Sequence, residues 1–251
     1  MTLLVGMYYN NKKGALIASD SRVLEGYTIV EQSEKIINFE KVLIALSGTA
    51  SFSDEIVEEL AKNLKTTEED KEIRTAIQKA YASIRNIYLD GEKPLISEKE
   101  FDCTGMFGFY NNKPKLFEVD EKGMIQQAYS EFIVNGQEVS YAKGILRKLY
   151  KKEISKQQAI QSAIYVITEI SQFNVGVDND VQIATIEEEG TKILNYDNGG
   201  ELIFKKPEFK KIEKRMKSAA EFQKIALNIL VNGKREDKSK LEKLLKEINS
   251  Q

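Results

Sequence analysis

The chain contains no histidine. That removes Ser-His-Asp and Cys-His nucleophile systems, imidazole zinc sites and histidine acid–base chemistry. It has one cysteine, Cys103, so neither an internal disulfide nor a cysteine metal cluster can form. No apolar run approaches the length of a membrane span, and no membrane partner is expected. Met1 to Tyr9 is apolar but lacks a basic region and is broken by Asn10-Asn11-Lys12-Lys13, so it does not read as a signal peptide. One cysteine and no export signal together predict a cytoplasmic protein. No G-x-G-x-x-G follows a strand-like segment, which argues against a phosphate cradle. The acids Glu68-Glu69-Asp70 sit at a helix start, where the helix dipole favours them, and are not read as metal ligands. No metal or cofactor is expected.

What is present is enough for a large core: 251 residues, 41% hydrophobic and 30% charged. The formal net charge of −2 is unevenly spread. Residues 205–251 hold fourteen Lys/Arg and seven Asp/Glu, leaving an acidic body before a basic tail. Phe222, Ile225, Ala226, Ile229 and Leu230, then Leu241, Leu244, Leu245 and Ile248, recur at helical spacing. The tail therefore reads as a helical appendage with its own apolar face, docked on the acidic body. This divides the chain into a domain over 1–204 and an extension over 205–251.

Along the body, apolar runs alternate with turn signals. Leu3 to Tyr9 and Ala15 to Ser19 read as a hairpin, followed by a short β-branched stretch at Thr28 to Val30. Lys35 to Phe39 and Val42 to Leu46 form a second pair, and Ser47-Gly48-Thr49-Ala50-Ser51 reads as a small-residue turn before a helix capped by Asp54. A second helix covers about Glu68 to Tyr88. Strands follow at Met106 to Tyr110, Lys115 to Val119, Gly123 to Ala128 and Phe132 to Val134. Two more helices, Ser140 to Tyr150 and Lys156 to Ile170, precede strands at Val181 to Ile186 and Lys192 to Tyr196. Paired helices between antiparallel strand groups predict an α+β layered fold. Tyr8, Tyr9, Phe107, Phe109 and Tyr110 fall in strands and read as core aromatics, not a base-stacking platform, so a nucleic-acid partner is not expected. Cys103 reads as structurally buried.

Without histidine, hydrolytic chemistry must use Ser, Thr, Lys, Asp, Glu, Tyr or a terminal amine, and one of the few schemes left for an activated nucleophile rests on Thr2. Once Met1 is trimmed, a terminal threonine holds a hydroxyl nucleophile and a free amine together. That amine, with a reference pKa of about 7.7–8.0, can take the hydroxyl proton near neutral pH.

Four segments place Thr2 in a wider pattern: Thr2-Leu3-Leu4-Val5-Gly6, Ala15 to Arg22, Lys35 to Phe39, and Ile44-Ala45-Leu46-Ser47-Gly48. In order and spacing they resemble the proteasome β-subunit family of N-terminal nucleophile hydrolases. The resemblance implies a four-layer αββα sandwich and a threonine-type enzyme acting on a peptide or protein substrate, in a homo-oligomer. It gives Thr2 the place of the nucleophile, Asp20 that of the acid ending the second strand, and Arg22 that of its basic neighbour. It gives Lys35 the place of the lysine beside the nucleophile, and Gly48 that of the oxyanion-hole glycine. Arg22, Ser47, Thr49 and Ala50 fall along the implied substrate path. Downstream the family's serine and Asp-x-x-Ser-Gly-Gly turn are replaced by Gln137 and by Gln172 to Val177, of which only Gly176 matches clearly. Gln137, Gln172 and Asn174 could substitute by hydrogen bonding. The tail is a further departure; connectases, ligases resembling the same family, also carry an extra C-terminal part. Two outcomes stay open: a peptidase or transpeptidase working through an acyl-enzyme on Thr2, or a catalytically degenerate scaffold or binding protein.

Overall fold

The computed structural model describes residues 2–25, 28–32, 34–39, 41–64, 69–89, 94–128, 130–178, 180–194 and Ile225. By backbone contacts the chain falls into two units, Met1–Asn195 and Tyr196–Gln251. The helices expected after Lys205, and their docking, lie outside the described residues, apart from Ile225, which is helical.

In chain order the described elements of the first unit are β1 (Leu3–Tyr9), β2 (Gly14–Asp20), β3 (Arg22–Glu25), β4 (Thr28–Gln32), β5 (Ile36–Phe39) and β6 (Val42–Gly48). Then come α1 (Ala50–Asn63), α2 (Asp70–Tyr88), β7 (Cys103–Asn111), β8 (Lys113–Val119), β9 (Ile125–Gln127) and β10 (Phe132–Gly136). The series closes with α3 (Val139–Leu149), α4 (Lys156–Ser171), β11 (Val181–Glu187) and β12 (Gly190–Ile193). Ten of the strands form two five-stranded antiparallel sheets, ordered β10-β1-β2-β11-β12 and β5-β6-β7-β8-β9, while β3 and β4 pair apart.

The two sheets pack face to face. Leu4, Ile17, Ala184 and Ile186 of the first meet Leu43, Ala45, Met106 and Leu116 of the second in one apolar layer. On the far side of the second sheet, Ile56, Leu60, Ile77, Tyr81 and Ile84 of α1 and α2 cover Val42, Ile44, Phe107 and Phe117. α4 lies against β1, β2 and β11 on the outer face of the first sheet. The result is the expected α+β sandwich, αββα. Every residue of β1 and β2 is buried, as follows for strands covered on both faces, and the continuous apolar runs of the sequence reflect this.

Local chemistry explains the connections. Asn10, Asn11 and Lys12 all take left-handed backbone angles between β1 and β2, with φ of 50°, 56° and 63°. Asparagine tolerates that region better than most residues. The rings of Phe107 and Phe109 stack on Phe117 at 4.8 and 5.5 Å, which makes Phe107 and Phe109 core residues as read, whereas Tyr110 is only half-buried. Cys103 is buried, and burial pushes its thiol up to about 11.

The structure departs from the sequence reading at α1, at β3 and at β12, which spans Gly190–Ile193 where the sequence pattern starts the strand at Lys192. α1 begins at Ala50, not after Asp54. Phe52 supplies the reason: it is buried and stacks on Phe101 at 4.9 Å, so core packing draws the small-residue stretch into the helix. β3 is also new, because Arg22–Glu25 has no alternating pattern and forms only by pairing with β4.

α4 starts with a capping box. Ser155 Oγ accepts the Gln158 N–H and Gln158 Oε1 accepts the Ser155 N–H. Replacing Ser155 by alanine is expected to lower stability by about 1 kcal/mol, measured by urea unfolding.

Candidate active site

β1 and β2 are adjacent and antiparallel, with Leu4 opposite Ser19. The start of β1 therefore lies beside the end of β2. Thr2 is buried there, and so is Asp20, whose side chain is fully inaccessible. The Asp20 carboxylate is the hub of the site. Its Oδ1 accepts the Leu3 N–H at 2.9 Å, which fixes the peptide that follows Thr2. Its Oδ2 accepts the Arg22 N–H at 3.1 Å, the Asp178 N–H at 3.4 Å and the Lys35 ammonium at 3.0 Å.

Lys35 stands just before β5, in the other sheet, and reaches across to this carboxylate with a side chain only 8% exposed. Burial pulls its ammonium below the ordinary lysine range; the Asp20 charge and hydrogen bond oppose that, and the Arg22 charge adds to it. The site thus joins a buried carboxylate, held by three backbone N–H groups, to a buried lysine whose pKa is lowered.

The other side of Thr2 is held by the turn after β10. The Gln137 N–H donates to the Thr2 carbonyl at 2.8 Å. Gly136 faces Leu3 across the strand pair and has a φ of +93°. A Cβ there would stand 2.0 Å from the Thr2 carbonyl oxygen and 3.1 Å from Ser47 Oγ, so only glycine fits this approach. The same geometry brings Ser47 to the Thr2 side of the inter-sheet space, where Thr104 Oγ1 also donates to Asn135 Oδ1 at 2.8 Å.

Gly48 ends β6 with a φ of +128°. Its own close neighbour is Asp102, whose carbonyl oxygen would lie 2.0 Å from an added Cβ. The Thr49 N–H donates to that same carbonyl at 2.7 Å, so it is committed to the fold. Thr49 and Ala50 are exposed at the start of α1. Arg22 turns its guanidinium to the loop before β11: Nη1 donates to the Val175 carbonyl at 2.7 Å and Nη2 pairs with Asp178 at 3.3 Å. That is a clamp on the loop.

Among the downstream residues, Gln137 bonds Thr2 through its backbone, and Gln172 is exposed. Asn174 bridges the loop before β11 to Glu138 at 3.1 Å while its Oδ1 accepts the Gly176 N–H. Sequence reasoning missed Asp178 and Gln182. Gln182 Oε1 accepts the backbone N–H groups of Lys35 at 2.7 Å and Ile36 at 3.3 Å. The one sequence signal for either is a buried-strand pattern at 181–186 interrupted by glutamine. Among the described residues no group of His, Cys, Asp and Glu is arranged to hold a metal ion, and no helix is long and apolar enough to cross a membrane.

A family model described as "Proteasome subunit" matches residues 4–186. The chain belongs to the proteasome subunit family. Proteasome subunit beta 2 of Pyrococcus furiosus is 27% identical over 187 residues, covering 72% of this chain and 85% of that protein. Proteasome subunit beta 1 of Thermococcus sibiricus is 26% identical over 199 residues, covering 77% and 91%. Among solved structures, an Anbu (Gly-1) mutant from Hyphomicrobium sp. strain MC1 superposes with a TM-score of 0.71 over 88% of this chain and 95% of that one, at 15% identity. That likeness is one of fold. The Proteasome match ends within β11, leaving the tail beyond it.

Proposed function

We propose that this proteasome-family chain is a threonine-type N-terminal nucleophile enzyme that cleaves or joins peptide bonds through an acyl-enzyme on Thr2. The observation that carries the proposal is the shared carboxylate. Asp20 holds both the peptide after Thr2 and the ammonium of Lys35, so the candidate nucleophile and its lysine are referenced to one buried group. A degenerate scaffold would not need a buried Lys–Asp pair at this position, since such pairs add little stability of their own.

The chemistry follows from these residues. Release of Met1 frees the Thr2 amine. The Thr2 hydroxyl attacks the substrate carbonyl, and its proton passes to the amine, with Lys35 favouring the ionised oxygen. Negative charge on the carbonyl oxygen falls to the Gly48 N–H. When the tetrahedral carbon collapses, the C–N bond breaks and the leaving amine takes the proton. Thr2 is left as an ester. Water attacking that ester gives hydrolysis; an incoming amine gives transpeptidation. In either case the Thr2 oxygen recovers its proton. Ser47, Thr49 and Ala50 border the path of the substrate chain, and Arg22 shapes it by holding the 175–178 loop.

We place the chemistry in residues 1–204 and an accessory role in the basic extension 205–251. Assembly with further copies is part of the proposal, supported by relatives that are named as subunits, as is a cytoplasmic site of action.

Replacing Thr2 by alanine is expected to abolish labelling by an acylating peptide β-lactone while leaving the melting temperature within a few degrees of wild type. Full labelling of Thr2→Ala would remove the assignment.

A further inference from the structure

Lys35 is useful only if its ammonium stays at Asp20, yet its backbone precedes an edge strand. Among the described residues β5 pairs with β6 alone, so N–H groups at its open edge have no ladder to join there. Those of Lys35 and Ile36 converge instead on one acceptor, Gln182 Oε1, at 2.7 and 3.3 Å. Gln182 belongs to β11 in the other sheet, is 4% exposed, and stands one residue after Val181, the strand partner of Asp20. A single amide side chain therefore ties the backbone of the lysine to the strand that flanks its carboxylate.

We propose that Gln182 is a positioning residue for the Thr2 reaction, holding Lys35 in register with Asp20 across the two sheets. This rests on the assignment of Thr2 and Lys35 above. Gln182 touches neither substrate nor the reacting atoms; it acts through the Lys35 backbone. Glutamine suits the task because its carbonyl oxygen has two lone pairs and can accept two N–H groups at once. Asparagine is one methylene short of the same reach.

Position and packing make opposite demands here, which gives the test its power. Methionine matches the shape and suits an apolar interior but accepts essentially no N–H bond; glutamate keeps the acceptor oxygen but buries a charge. If Gln182 matters as packing, Gln182→Met retains more function than Gln182→Glu. If it matters as an acceptor, the order reverses.

The experiment uses the full chain with Met1 released and a peptide β-lactone probe. The probe's carbonyl is attacked by the Thr2 hydroxyl, the ring C–O bond opens, and the whole probe mass is added. Labelling rates are read by intact mass and melting temperatures are recorded in parallel. The expected result is at least a tenfold slower rate for Gln182→Met and a rate for Gln182→Glu nearer wild type, although Gln182→Glu is the less heat-stable protein. Should Gln182→Met not fold, Gln182→Asn carries the same expectation. A folded Gln182→Met labelled at the wild-type rate, or rates that follow the order of melting temperatures, would overturn the inference while leaving Thr2 in place. A wild-type chain that never takes the probe removes the Thr2 assignment itself, and this inference with it.

Discussion

Lys35→Met is expected to lose nearly all Thr2 acylation and to unfold at lower denaturant. The two losses have one origin. Asp20 is fully buried and Lys35 is its side-chain counter-charge, at 3.0 Å. Removing one partner of a buried pair costs about 3–5 kcal/mol because the other charge is left behind. Here the cost should fall near the lower end, since the N–H groups of Leu3, Arg22 and Asp178 still point at the carboxylate. Lys35→Arg separates the two effects. The guanidinium can keep a charge near Asp20, so stability should largely return. Acylation should not, because the guanidinium is bulkier and cannot bring a compact charge up to the Thr2 oxygen. The pH profile gives a further check. Burial lowers the Lys35 pKa, so the ammonium that favours the ionised Thr2 oxygen is lost below the ordinary lysine range. The acylation rate should therefore fall as pH rises through a value below the ordinary lysine range, and that falling limb should vanish in both variants. Stopped-time labelling across pH 6–10 reads it directly, on the order of one rate measurement per half unit.

Gly136→Ala is expected to be the most damaging single-methyl change near the site. Alanine at a φ of +93° carries backbone strain of about 1–3 kcal/mol. Its Cβ would also lie 2.0 Å from the Thr2 carbonyl oxygen, where real contacts stay beyond 3.0 Å. Thr2 or the β10 turn must then give way by about 1 Å, a misplacement that can cost on the order of 10²-fold in rate. The Gln137 N–H, which holds the same carbonyl, would be displaced with it. Equilibrium unfolding and β-lactone labelling of Gly136→Ala should both fall. A variant that labels at the wild-type rate would show that the Thr2 carbonyl need not be held where it stands.

Much of this arrangement is legible in the chain itself. The strand and helix order is written in apolar runs and turn residues, and the sites of Thr2, Asp20, Lys35 and Gly48 are written in the first fifty residues. The peptide after Thr2, Asp20 and Lys35 come together because β1, β2 and the start of β5 bring nearby segments together, while Gly48 packs against Asp102. What is not legible lies far along the chain. Asp178 and Gln182 reach Asp20 and Lys35 only after β11 inserts beside β2, and a lone Asp or Gln has no periodicity to mark it. The start of α1 is illegible for another reason: Ser, Gly, Thr and Ala suit turns and helices alike, and Phe52 decides between them by packing on Phe101. Arg22 shows that a residue can be found from sequence while its contacts cannot. Its partners, Val175 and Asp178, lie in a loop that keeps only Gly176 of the family's turn.

The most direct measurement is to map the probe adduct. The chain is incubated with the peptide β-lactone, its intact mass recorded, and the labelled protein digested and sequenced by tandem mass spectrometry. The result expected is a chain beginning at Thr2, carrying one added probe mass, with the modification on the Thr2 hydroxyl. A chain that retains Met1, or an adduct on any residue other than Thr2, would contradict the assignment of Thr2 as the nucleophile.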